Sequence, residues 1–91
     1  MTSLTLVLAG GLMTGGDTLQ ERGLYAEAIG ALQTGNPALA RERATMLVAR
    51  NANEPAYLVI LGDAYVAGGD LPDALKAYER SSELQGGRDL E

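Results

Sequence analysis

Apolar residues recur at helical spacing along most of this chain. Leu24, Ala28, Ala31 and Leu32 lie on one stripe, which predicts a helix from Asp17 to about Thr34. Ala40, Ala44, Leu47 and Val48 form a second stripe that runs to Arg50. Leu58, Leu61, Gly62 and Tyr65 form a third in a helix that opens at Pro55, and Leu71, Ala74, Leu75 and Tyr78 a fourth. Turn chemistry separates the four. Asp17 and Gln20 have the spacing of a capping box. In Gly35-Asn36-Pro37, the glycine takes the left-handed exit, the asparagine caps and the proline suits the first helical turn. Asn51-Ala52-Asn53 closes the second helix and offers Asn53 as the next cap, and Gly68-Gly69-Asp70 separates the last two helices. Asp70 then caps, with Asp73 beside the positive end of the helix dipole. Gly23 and Gly30 are expected to admit a neighbouring backbone. The pattern is all-α.

Residues 1–16 break this rhythm. They carry no charged side chain, and the apolar run from Leu4 to Met13 falls well short of the roughly 20 helical residues needed to span a bilayer. A signal peptide would suit the run's length, but no Lys or Arg precedes it and no Ala-x-Ala site follows it. Four readings stay open: a signal remnant, a packing helix that Ser3 could cap, a short strand added to another chain, or an assembly arm built on Leu4, Leu6, Val7, Leu8, Leu12 and Met13.

Composition narrows the chemistry. The chain has 91 residues, enough for one small domain, and 46% are hydrophobic, with four Tyr and no Phe or Trp. Helices packed through Leu, Ala and Val fit that inventory better than a β-sandwich. Seven basic against twelve acidic residues give a net charge of −5 with no basic cluster, which disfavours nucleic acid and anionic membranes as partners. Cysteine and histidine are both absent, so thiolate and imidazole metal sites, disulfides and the commonest general base are excluded. Ser81-Ser82 lacks a base to activate it, and the Gly11 to Gly16 stretch lacks the lysine of a phosphate loop. No cofactor and no enzymatic activity are expected.

The register of the turns reveals an internal repeat. Counting back 34 residues takes Gly69 to Gly35, Asp70 to Asn36, Ala74 to Ala40 and Leu58 to Leu24. Together with the order Leu61-Gly62, Tyr65, Gly69-Asp70, Ala74, Tyr78, this resembles the tetratricopeptide repeat. The likeness covers roughly Gly23 to Gly86. It is degenerate in the first copy, where Glu27, Ala28 and Ala44 stand for the family's leucine, glycine and second aromatic. In the second copy Leu58 replaces a tryptophan, Ser81 an alanine and Gly86 a proline. The expected organisation is an apolar segment at 1–16, a degenerate helix pair at 17–52, a second pair at 53–86 and a polar tail at 87–91. The architecture implied is a short α-solenoid of antiparallel helix pairs.

By resemblance, the first helix of each repeat lines a concave groove that holds a peptide or partner subunit. Carried over by register, the groove-facing residues are Arg22, Tyr25, Ala26, Ile29 and Gln33 in the first copy, and Val59, Ile60, Asp63, Val66 and Ala67 in the second. This groove is mostly apolar, and Asp63 argues against clamping a C-terminal carboxylate. The function implied is a non-catalytic protein-interaction scaffold. The alternative is a structural subunit that self-assembles into a homo-oligomer or filament through its apolar N-terminus, because two repeats fall short of the three usually needed for an independent stack. Resemblance favours a bacterial cell-envelope or extracellular setting.

Overall fold

A computed structural model describes residues 19–89, and every element among them is a helix. Helix α1 covers 19–33, α2 Pro37–Arg50, α3 Pro55–Ala67 and α4 Leu71–Asp89. Residues 1–18, with the expected cap at Asp17 and the arm at 1–16, lie outside the described part.

Each turn is set by its residues. Gly35 sits at φ 75°, and the amides of Asn36 and Gly35 donate to the carbonyls of Ala31 (2.8 Å) and Leu32 (3.3 Å). That is a Schellman closure, which satisfies carbonyls the ending helix would leave without partners. Asn36 then caps α2, accepting from the Leu39 amide at 3.2 Å. Thirty-four residues on, the same chemistry recurs. Gly69 lies at φ 85°, the amides of Asp70 and Gly69 donate to Tyr65 (2.8 Å) and Val66 (3.0 Å), and Asp70 accepts from the Asp73 amide at 3.2 Å. Asp70 and Asp73 thus build a helix start.

Two boundaries differ from the sequence reading. Glu54, not Asn53, caps α3, because Pro55 takes the first helical position and leaves its predecessor as the cap; the Glu54 carboxylate accepts from the Ala56 amide at 3.4 Å. Helix α4 runs on to Asp89, through the residues expected to form a polar tail. Glycine inside a helix costs only about 1 kcal/mol, and no proline comes after it to stop the helix.

The core draws on three helices. Ala28 of α1, Ala44 and Leu47 of α2 and Ile60 of α3 form one buried cluster, flanked by Leu24, Tyr25 and Tyr57 among others. Ala31, Ala40 and Ala64 form a second. Small residues, Ala28 of α1 and Ala44 of α2, share the first cluster with Ile60 of α3. Helix α4 packs against α3 and not against α2. Its buried face is Ala74, Ala77 and Ser81, with Tyr78 laid across Gly62. Leu71 and Leu75, expected on that stripe, are 61% and 57% exposed. Turned by one position, the small side chains let α4 approach α3, and the leucines face away. Ser81 is buried and donates to the Pro55 carbonyl at 3.1 Å. Among the described residues, nothing lies within 4 Å of where a Cβ would stand on Gly23 or Gly30; the close approach is at Gly62, and to the Tyr78 side chain, not to a backbone. No helix among the described residues is long and apolar enough to cross a membrane.

Candidate functional site: a cleft between the first and third helices

Arg22, Tyr25 and Ala26 of α1 and Ala56 and Tyr57 of α3 line an open cleft of about 290 Å³. It forms because both helices present one residue of every turn to the same side, and alanine at 26 and 56 leaves the middle low. The walls are aromatic. The rings of Tyr25 and Tyr57 stand 5.9 Å apart with their planes tilted by 43°, within the range where aromatic pairs attract. The Tyr57 hydroxyl donates to Glu21 Oε1 at 2.7 Å, fixing its ring. Burial first, and then this bond to a carboxylate, push the Tyr57 phenol up to about 12. Tyr57 is therefore a neutral donor throughout the physiological range.

Arg22 is the cleft's one basic lining residue and is exposed. Its planar guanidinium can take a carboxylate in two parallel hydrogen bonds, while the tyrosine rings offer faces for apolar or aromatic side chains. Such a surface can hold a peptide, but it brings together no nucleophile with a base. Among the described residues, no three acidic side chains stand where they could hold a metal ion. Farther along, Arg43 ties α2 to α1, its Nε donating to Glu27 Oε1 at 2.6 Å.

The structure divides the residues expected on one groove. Arg22, Tyr25 and Ala26 share the cleft. Ile29 is half-buried at the flank of the core, and Gln33 is exposed at the far end of α1. Ile60, expected on the groove, is buried in the core at 2% exposure. A helix seated on two others buries two of its sides, and that turns Ile60 inward. Asp63 faces α4 and accepts from the Tyr78 hydroxyl at 2.5 Å; burial and that carboxylate push Tyr78 up to about 12. Val59, four residues before Asp63, and Val66, three after it, lie on the same side of α3 and are 38% and 45% exposed. Ala67 is exposed at the end of α3. Val59 and Val66 do not line the cleft, but Ala56, three residues before Val59, joins their side to it. Leu4, Leu6, Val7, Leu8, Leu12 and Met13 lie outside the described residues.

Sequence reasoning missed Ala56 and Tyr57. The 34-residue register held a signal for one of them, since Arg22 maps onto Ala56. Tyr57 maps onto Gly23, where the first copy has no side chain to suggest a wall. Compared with models of protein families, with curated proteins and with solved structures, the chain gives no match.

Proposed function

We propose that this chain is a non-catalytic binding module of tetratricopeptide type, a short solenoid of two antiparallel helix pairs that holds a protein segment in the cleft between α1 and α3. The recurrence of the Schellman closure and cap after 34 residues supports the repeat architecture. Antiparallel pairing is supported by Ser81 meeting Pro55 while Tyr78 meets Asp63, since the order along one helix reverses along the other. The cleft with Arg22 beside two tyrosines carries the functional reading. Its occupant is an extended or helical peptide with one acidic and one apolar side chain: the first for Arg22, the second for Tyr25 and Tyr57.

Selection of peptides from a random display library on the full chain tests this, followed by titration of the selected peptides. Peptides combining an acidic and an apolar residue should emerge. Arg22→Ala and Tyr25→Ala should each weaken them about tenfold, as central contacts do, while Leu75→Ser leaves binding unchanged. Selected peptides that bind both cleft variants as well as the parent chain would sink the reading.

A further inference from the structure

The far side of α3 and α4 repeats, by register, a surface that is already occupied inside the chain. Helix α3 is seated on Tyr25, Ala28 and Leu32 of α1 and on Ala40, Ala44 and Leu47 of α2. Adding 34 to each gives Val59, Gly62, Val66, Ala74, Tyr78 and Ser81. The edge of that seat, Pro37 and Arg41 beside Ala64 and Tyr65 of α3, maps onto Leu71 and Leu75. Val59, Val66, Leu71 and Leu75 are 38%, 45%, 61% and 57% exposed, so α3 and α4 carry a mainly apolar seat for a further helix; its one carboxylate, Asp63, onto which Ile29 maps, accepts from the Tyr78 hydroxyl. An apolar face of this kind marks an interface.

The chain also contains a sequence that reads like the helix such a seat receives. Leu6-Val7-Leu8-Ala9-Gly10 matches Leu58-Val59-Ile60-Leu61-Gly62 of α3 position by position in character. The likeness ends alike as well, at Gly15-Gly16-Asp17 against Gly68-Gly69-Asp70, with one residue fewer between. Residues 1–16 have no charge to strand against Val59 or Leu75.

A chain's own copy of this segment is too short to reach. Glu21 is level with Tyr57, since their side chains bond. A segment lying on the seat as α3 lies on α1 and α2 would bring Met13 level with Asp63. From there to residue 19 is about 12 Å along the axes and two helix spacings, about 18 Å, across them. That is about 22 Å straight through α3 and longer around it, whereas six extended residues reach at most about 20–22 Å. We propose that the Val59, Val66, Leu71 and Leu75 face docks residues 4–13 of a second copy of this chain. The contact is head to tail, so each copy presents a free seat at one end and a free segment at the other, and association continues into open chains. It uses residues of α3 that do not line the peptide cleft, although Ala56 adjoins both, and it stands whether or not that cleft binds a peptide.

Sedimentation velocity of the full chain over a hundredfold concentration range tests it, with two variants. Leu71→Glu with Leu75→Glu blocks the seat and leaves the segment; Val7→Glu with Leu8→Glu blocks the segment and leaves the seat. All four positions are outside the described core, and circular dichroism verifies the helix content of each variant; Leu75→Ser serves if the double seat variant loses helix. The parent chain should grow in mass with concentration, and each variant by itself should remain a 9.5 kDa monomer. The two variants mixed should form a one-to-one pair and stop there. A parent chain monomeric throughout, an assembly that both variants leave intact, or variants that do not pair on mixing would each overturn the proposal.

Discussion

Among the described glycines, Gly62 has the tightest surroundings, set by Tyr78. A Cβ at position 62 would meet the Tyr78 ring, with Cδ1 at 2.7 Å and Cζ at 2.9 Å. Gly62→Ala must therefore move a ring that the Asp63 carboxylate holds from its other end. Overpacking of this kind costs about 1–3 kcal/mol, more than alanine gains in helix propensity. Urea unfolding should show Gly62→Ala destabilised, and much less so in a Tyr78→Ala background, where the ring is gone. Equal losses in both backgrounds would mean that the ring yields freely. Tyr78 and Tyr57 also set a limit in alkali. Burial and then a carboxylate partner push both phenols up to about 12, whereas an unfolded tyrosine ionises near 10. Between about pH 10 and 12 the unfolded chain has lost protons that the fold retains. Their contribution is therefore complete below about pH 10 and is lost as the pH climbs through the folded value. Denaturant midpoints across this window should fall, and Tyr57→Phe and Tyr78→Phe should each make the fall shallower. A parent chain with a flat profile would contradict these shifts.

At the scale of elements, the two glycine turns share one geometry and differ in the helices they start. Both helices carry a proline in the first turn, Pro37 and Pro72; Asp70 differs from Asn36 in adding a charge at the positive end of α4. Asp70→Ala should cost about 1 kcal/mol and Gly69→Ala about 1–2, because alanine resists a φ of 85°. Both should appear as earlier fraying of α4 in thermal circular dichroism, and an unchanged melt would show that the cap is dispensable. These turns were the most legible part of the sequence, because glycine, asparagine and aspartate act locally. The stripes on α1 and α2 could be read for a related reason: each buries one face, and period alone locates it. The faces of α3 and α4 could not. A period gives the angle between apolar residues and not which neighbour each angle meets. Ile60 turns inward because α3 has helices on two sides, and Leu75 turns outward because α4 approaches α3 through alanines. The cleft was half legible, since Arg22 and Tyr25 follow from register but the Tyr57 wall has no counterpart in the first copy.

In the whole molecule, stability is distributed unevenly. A helix held by packing resists opening in proportion to the contacts it would lose. Helix α3 shares the core with α1 and α2 and carries α4 on another side; α4 has α3 but not α2. Opening α4 gives up Ala74, Ala77, Tyr78 and Ser81, mostly small side chains, whereas opening α3 empties the cluster around Leu47 and Ile60, the largest fully buried side chains. Native-state hydrogen exchange in dilute solution should rank α3 amides slowest and α4 amides distinctly faster, through an opening that leaves the rest folded. Leu47→Ala should remove about 2–5 kcal/mol and bring the α3 amides down toward those of α4, since a cavity there undermines the shared cluster. Leu75→Ala, on the exposed side, should leave both rates in place at low concentration. Identical protection for α3 and α4 in the parent chain would mean that the helices open as one unit, and that α4 is bound into the core as firmly as α3.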